Sequence, residues 1–152
     1  MVRHRSGFAL VRSGRSRAWR GAGRRVVFVM TTTCQMILIA GPYRSGTGDD
    51  PAKMADNVRE MEHYALPIFR AGHIPIVGEW LALPLVATAG SQRVGDAPFE
   101  EIFHPIAVRL LTRCDAVLRV GGASHGADYM VDVARERGLA VYHSLGEVPG
   151  CE

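Results

Sequence analysis

Residues 36–43 read Met-Ile-Leu-Ile-Ala-Gly-Pro-Tyr, five apolar residues that end abruptly at Gly41-Pro42. An apolar run of this length followed by a turn signal is typical of a buried strand, because helices are usually longer. Three more runs of strand length follow along the chain, at 74–77, 116–120 and 139–142. The stretch 36–43 therefore opens a series of four predicted strands.

Segments with helical periodicity separate these strands. In the first, apolar residues recur every three or four positions: Met54, Val58, Met61, Ala65 and Ile68. The pattern predicts helices within 51–71, over 99–113 and over 126–137, with a shorter one at 81–89, a loop over 90–98 and a last turn at 145–148. Strands that alternate with helices form right-handed crossovers and a parallel sheet. We therefore predict an α/β fold, a Rossmann-like three-layer sandwich with a short, mostly parallel sheet.

The charge divides the chain into two parts. Residues 1–29 contain eight Arg and no acidic residue, whereas residues 30–152 contain ten Lys or Arg against fifteen Asp or Glu. We expect 1–29 to be a disordered basic tail and 30–152 to be one nucleotide-binding domain. Three interpretations of the tail stay open: a translation start placed too early, an organelle transit peptide, or a basic arm for phosphates. The acidic domain gives no electrostatic reason to expect nucleic acid as a partner.

Composition also argues against several other classes of protein. No apolar run reaches the roughly 18 residues of a membrane-spanning helix, so we expect no membrane association. The three cysteines are far apart, which is typical of free thiols in a reducing compartment, and we expect a cytoplasmic protein. The histidines show no metal-ligand spacing, so we predict neither a metal nor another cofactor.

Ligands of parallel α/β proteins bind beyond the carboxyl ends of the strands, and three loops lie there. In the first, Gly41–Asp50, the backbone of Gly41 can approach an anion, and Arg44 and Ser45 add hydrogen-bond donors. In the second, Gly78–Trp80, Glu79 can accept a hydrogen bond while Trp80 stacks on a base. A plain strand-to-helix connection and a rim of packed side chains are the structural alternatives.

The third loop, Gly121–Ala127, follows a predicted strand and opens a predicted helix. Its amides and the helix dipole both favour an anion, and Ser124 can cap the helix and also contact a phosphate. His125 and Gly126 lie in the same turn, so we include both among the binding candidates. A cap without a ligand is the structural alternative.

Together these pieces resemble the nucleoside 2-deoxyribosyltransferase-like superfamily, most closely its branch known as domain of unknown function 4406. The resemblance covers about three quarters of the chain, and these segments carry it: Met36–Tyr43, Cys114–Val117, Ser124–Ala127, Val133-Ala134 and Gly138–Tyr142. It implies an enzyme that cleaves the N-glycosidic bond of a (deoxy)nucleoside or its 5′-monophosphate, by hydrolysis or by transfer to a second base. It also implies that Tyr43 orients the nucleophile, that Ser124 holds the 5′ end, and that the protein is a homo-oligomer.

The sequence departs from the family pattern at the nucleophile. The pattern Ser-x-Gly-Thr/Ala-x-x-Glu places a glutamate at position 130, where this chain has Met130. A thioether cannot replace a carboxylate nucleophile. Asp128 is the candidate replacement, although it is also a residue that the helix dipole favours without any other role. Glu100, Glu101 and His104 open the helix predicted over 99–113, in the region where active relatives supply an acid.

Three functions follow from these patterns. The first is an N-glycoside hydrolase or deoxyribosyltransferase with Tyr43 and Asp128 as catalytic residues. The second is a non-catalytic domain that binds a nucleotide or nucleotide-sugar. The third is that of a related Rossmann-like group, which includes the cytokinin-activating phosphoribohydrolases. Gly121–Ala127 resembles the glycine-rich loop of that group, but its members also need the glutamate that is missing here.

Overall fold

The computed structural model describes residues 33–151, which form a three-layer α/β domain. The strands are β1 (Met36–Ala40), β2 (Ile74–Val77), β3 (Ala116–Arg119) and β4 (Ala140–Tyr142). The helices are α1 (Pro51–His63), α2 (Ala65–Arg70), α3 (Glu79–Thr88), α4 (Ala97–Leu111) and α5 (His125–Glu136), followed by a 3-10 turn at Leu145–Glu147. The predicted fold class is confirmed. The expectations for residues 1–29 and for the boundary at residue 30 lie outside the described residues.

The four strands pair in the order β2-β1-β3-β4, and every pairing is parallel. In register, Leu38 of β1 lies beside Ile76 of β2 and Val117 of β3. The chain leaves β1 towards β2 on one side, whereas β3 lies on the other side. The order of the strands therefore reverses next to the carboxyl end of β1, where this class of fold binds its ligands.

Alternate residues of β1 point to opposite sides of the sheet and anchor two separate cores. Leu38 and Ala40 belong to the core under α4 and α5, whereas Ile37 and Ile39 belong to the core that includes Met61 of α1. A strand that is apolar on both faces is expected in a parallel sheet covered by helices on each side. Among residues 33–151, no helix is both long enough and apolar enough to cross a membrane.

Three of the predicted helices differ from the structure. The helix expected over 99–113 is α4, which begins two residues sooner because the side chain of Asp96 caps it by accepting a hydrogen bond from the N–H of Phe99. The single helix expected within 51–71 is divided at Tyr64 into α1 and α2. Pro67 accounts for the division, because it has no N–H to offer the carbonyl four residues earlier. The short helix expected at 81–89 begins two residues sooner, because the carbonyl of Gly78 accepts hydrogen bonds from the N–H groups of Leu81 and Ala82. Its first residue is therefore Glu79, which the sequence analysis placed in a loop.

His73 connects three parts of the chain that are distant in sequence. Its side chain is 2% exposed. Nδ1 accepts a hydrogen bond from the backbone N–H of Gln35 at 3.1 Å, and Nε2 lies 2.7 Å from the carbonyl oxygen of Pro149. Both ring nitrogens are therefore used, Nδ1 as acceptor and Nε2 as donor. The ring joins the start of β1, the start of β2 and the C-terminal segment.

We predict that His73→Ala lowers the free energy of unfolding by about 2–4 kcal/mol, because it removes a buried ring and leaves the partly buried N–H of Gln35 and carbonyl of Pro149 without their partner. Urea denaturation followed by circular dichroism measures the change. His63→Ala is the matched control, because the His63 side chain is 77% exposed, and we expect it to change the stability by less than about 0.5 kcal/mol. Equal unfolding midpoints for the His73 variant and the wild type would contradict the prediction.

Candidate functional site

A cavity of about 370 Å³ opens at the carboxyl end of β1, at the reversal in strand order. Four parts of the fold supply its walls: the end of β1 with the loop after it, the start of α3, one side of α4, and the first turns of α5. A volume of this size lies within the range of roughly 300–1,000 Å³ found for small-molecule sites. The cavity therefore lies where the strand pattern predicted a ligand site.

Most of the predicted site residues meet in this cavity. Eight of the ten candidates line it: Gly41, Tyr43, Arg44, Ser45, Glu79, Ser124, His125 and Gly126. Glu100 and His104 of α4 line it as well. Two candidates, Trp80 and Asp128, are not among the lining residues.

Asp128 faces away from the cavity and pairs with Arg119, the last residue of β3. The Nε of Arg119 donates to the Oδ1 of Asp128 at 2.8 Å, and its other nitrogens donate to the carbonyls of Val120 and Gly122. The Asp128 side chain is 61% exposed. This pair holds the glycine-rich loop against the end of β3. The geometry therefore gives Asp128 a structural contact in place of the expected catalytic position.

Met130 faces the cavity from the position that the family resemblance assigns to a glutamate. It is 5% exposed and belongs to the core under α4 and α5. Ala127, three residues before Met130 on α5, also lines the cavity. Where the family pattern expects a carboxylate nucleophile, α5 therefore presents two apolar side chains, Ala127 and Met130, to the cavity.

Trp80 is the second candidate that the structure places elsewhere. Its indole Nε1 donates a hydrogen bond to Oε1 of Glu62 on α1 at 2.7 Å, and the residue is 40% exposed. Gly78 is the N-cap residue and α3 begins at Glu79, so Glu79 turns towards the cavity and Trp80 turns outwards. Trp80 is therefore a surface residue next to the site.

The loop after β1 is held in shape by its own polar side chains. Arg44 forms a bidentate ion pair with Asp49. The hydroxyl of the buried Thr47 donates a hydrogen bond to the carbonyl of Arg44 at 2.6 Å. Asn57 of α1 donates to the carbonyl of Tyr43 at 2.9 Å. The hydrogen bond and the charge of Asp49 raise the pKa of Arg44 above its ordinary value, and the charge of Glu100 on α4 adds a smaller effect in the same direction. Arg44 therefore reaches the cavity already engaged by a carboxylate.

The first turn of α5 brings backbone amides to the cavity. Ser124 caps the helix, and its hydroxyl oxygen accepts a hydrogen bond from the N–H of Ala127 at 3.3 Å. Gly126 must lack a side chain, because a Cβ there would lie 2.9 Å from Cε1 of His104. This close approach of α4 to α5 leaves the N–H groups of the first turn beside the cavity, where a helix dipole favours an anion.

An aromatic wall, made of Tyr43, Phe99 and Phe103, was missed by the sequence analysis. The rings of Phe99 and Phe103 stack with centroids 4.5 Å apart, and Tyr43 lies 4.9 Å from Phe103. All three line the cavity. The available signal was the spacing of four between the two phenylalanines, which puts them on one face of α4. Nothing in the sequence placed that face opposite the loop after β1.

Glu79 is the cavity residue with the most perturbed acidity. Burial raises the pKa of its carboxyl group from 4.5 to about 7, and a hydrogen bond from its own backbone N–H only partly offsets the effect. Burial and the nearby charge of Glu79 also raise the pKa of Tyr43. A carboxyl group with a pKa near neutrality can both give and take a proton at physiological pH. Perturbed groups of this kind in a cleft mark functional sites.

Comparison of the chain with models of protein families, with curated proteins and with solved structures gave no match. Within residues 33–151, no three His, Cys, Asp or Glu side chains lie close enough to hold a metal ion. Function must therefore be inferred from the cavity itself.

We predict that the free energy of unfolding of Glu79→Gln increases relative to that of the wild type as the pH rises from 4.5 to 8. The folded pKa is above the unfolded one, so the folded state binds more protons in this interval, and the stability of the wild type falls as the carboxyl group ionises. A rise in the pKa of Glu79 from 4.5 to about 7 changes the difference in unfolding free energy between the variant and the wild type by at most roughly 3 kcal/mol.

Urea denaturation at pH 4.5 and pH 8 measures this difference. Glu136→Gln, at the far end of α5, serves as the control, and its stability difference from the wild type should change much less between the two pH values. A difference for Glu79→Gln that stays constant with pH would show that this carboxyl group has an ordinary pKa.

Proposed function

We propose that the cavity binds a nucleoside or its 5′-monophosphate and that the protein hydrolyses the N-glycosidic bond. The observation that carries the proposal is the partly exposed Glu79, whose carboxyl group is largely withdrawn from water, in a cavity that also has an aromatic wall and a helix N-terminus. These three features match the three parts of the substrate: a bond that breaks on protonation of the base, a planar base, and a sugar with or without a phosphate.

The aromatic wall would hold the base. A nucleobase that stacks on an aromatic side chain gains about 1–3 kcal/mol, whichever base it is. Phe99 is 4% exposed, and its stacking against Phe103 keeps both rings in place before a ligand arrives. A wall that is already ordered loses little conformational entropy on binding.

The sugar and its 5′ group would lie between the loop after β1 and the first turn of α5. Ser45 and the Ser124 hydroxyl line this part of the cavity, together with His125 and the backbone of Gly126. Hydroxyl groups and uncapped amides are suitable partners for ribose hydroxyls and for a phosphate. Arg44 could contact a phosphate only by sharing its guanidinium with Asp49.

Glu79 would act as the proton donor. The bond between C1′ and the base nitrogen breaks, its electron pair goes to the base, and the base takes the carboxyl proton. Water supplies the oxygen that bonds to C1′, and the proton it loses returns to the Glu79 carboxylate directly or through solvent. Because Met130 occupies the expected position of the nucleophile, no glycosyl-enzyme intermediate forms there, and direct attack by water favours hydrolysis over transfer.

We predict that the purified full-length protein releases free base from one or more members of a panel of nucleosides and 5′-monophosphates, measured by liquid chromatography. Glu79→Gln should lower the rate at least about 100-fold, since general acid catalysis contributes roughly 10²–10⁴. The rate should also fall above about pH 7, where the carboxyl group of Glu79 loses its proton.

Glu136→Gln is the matched control and should keep the wild-type rate, because Glu136 does not line the cavity. Base release that is unchanged in Glu79→Gln would reject Glu79 as the acid. No release by the wild type from any member of the panel, at high enzyme concentration, would reject hydrolysis.

A second candidate function is binding without turnover, which the buried Met130 favours. Under this alternative the wild type binds a nucleotide in calorimetric titrations but releases no base, and Met130→Glu gains the release. If the new carboxylate forms a glycosyl-enzyme intermediate, the variant should also transfer the sugar to a second base added in excess. A variant that binds the nucleotide as the wild type does, but still releases no base, would count against this alternative.

A further inference from the structure

Exposed apolar side chains are concentrated on one part of the domain. Among residues 33–151, seven large apolar side chains are exposed, and six of them lie between residues 66 and 85. We call these six the edge patch: Leu66, Phe69, Ile74, Trp80, Leu81 and Leu85. The seventh, Tyr129, lies on α5. A single exposed leucine is unremarkable, whereas a group of this size needs an explanation.

The edge patch follows the open edge of the sheet. Its residues come from three consecutive elements, α2, β2 and α3, and β2 is the outermost strand on its side. Both helices pack against β2. The start of α3 also contacts α1, because Glu62 accepts the indole hydrogen bond of Trp80, and Glu62 lies four residues before Leu66 across the break at Tyr64.

Helix α3 is apolar on its outer side as well as on its inner side. Ala82 and Val86 are buried against the domain, whereas Leu81, Pro84 and Leu85 are exposed at the spacing of one helical face. A helix that is apolar all round normally lies between two partners. The domain covers the inner side of α3, whereas nothing among residues 33–151 covers the outer side that carries Leu81 and Leu85.

Charge is depleted along the same segment. Residues 65–88 contain only two charged residues, Arg70 and Glu79, although residues 30–152 contain ten basic and fifteen acidic ones. Glu79 turns towards the cavity, so Arg70 is the charged side chain that remains on the outside. Depletion of charged residues is characteristic of the centre of a protein interface.

We infer that the edge patch binds the edge patch of a second copy of this chain. A stable interface buries about 800 Å² on each partner, of which roughly 60% is apolar, or about 500 Å². Six large side chains that are 39–66% exposed supply apolar area on the order of 500 Å². The patch thus has the apolar area that one side of a two-fold dimer needs, and a two-fold interface uses the same surface on both partners.

The other occupants fit the patch less well. A membrane surface would require basic residues around the apolar ones, but the domain is acidic and the charged side chain hydrogen-bonded to Trp80 is a glutamate, Glu62. Addition of a strand to β2 is hindered by Pro75. The N–H of Ile74 bonds to Gln35 on the inner side, so Pro75 is the residue turned to the open edge, where it has no N–H to donate.

Trp80 is suited to the centre of such an interface. Its ring is 40% exposed while Glu62 fixes its orientation, so little side-chain entropy remains to be lost on association. Tryptophans held in this way are frequent among the residues that dominate binding energy. The inference does not depend on the proposed function, because it rests on the outer surface of α2, β2 and α3 and on none of the cavity residues.

Sedimentation velocity of the full-length protein tests the inference. We expect the wild type to sediment as a species of twice the 16.6 kDa chain mass at a concentration of about 100 μM. Leu85→Glu and Phe69→Glu, on α3 and α2, should each weaken association at least tenfold, because each would bury a charge in the interface. Tyr129→Glu is the matched control, an equally exposed apolar residue outside the patch, and should leave association unchanged.

Circular dichroism and thermal unfolding establish that each variant is folded, and the two patch variants lie in different helices so that one folding failure does not remove the test. A wild type that is monomeric at this concentration would overturn the inference. So would patch variants that associate as strongly as the wild type, or a Tyr129→Glu variant that dissociates to the same extent as they do.

Discussion

The position of β1 in the centre of a parallel sheet is the constraint on which the rest of the structure depends. Its side chains are buried on both faces, with Leu38 in one core and Ile37 in the other. The chain turns towards β2 after β1, while β3 pairs on the opposite side. The connections on the two sides therefore diverge at the carboxyl end of β1, and the space between them is the cavity.

The cavity destabilises the ionised form of Glu79, and the same effect gives the carboxyl group its chemical use. Placing the Glu79 carboxyl group at the start of α3 removes it from water and raises its pKa to about 7. A side chain selected only for stability would not be charged at this position, since ionisation there opposes folding. The same burial yields a group that can donate a proton at neutral pH. The aromatic wall from α4 and the first turn of α5 surround that group with contacts for a planar ring and for polar substituents.

Most candidate residues could be located from sequence because they follow strands. Tyr43 and Ser124 lie three and five residues beyond the ends of β1 and β3, and parallel pairing brings the two strand ends to the same edge. The two candidates that lie outside the cavity were misplaced because sequence did not reveal which side of a helix faces the cavity. Trp80 turns outwards because α3 begins at Glu79, and Asp128 turns away because Arg119 binds it. The hydrophobic periodicity specifies neither the first residue of a helix nor an ion pair between a strand and the helix that follows it.

The sequence by itself determined the alternation of strands and helices, their parallel arrangement and the loops that border the site, because these depend on neighbours a few residues apart. Only the tertiary structure decided which side chains share the cavity. Phe99 and Phe103 meet Tyr43 across more than fifty residues of chain, and the acidity of Glu79 depends on how much protein surrounds it. Burial of a charge and contact between distant elements are properties of the packed molecule, so no local pattern carries them.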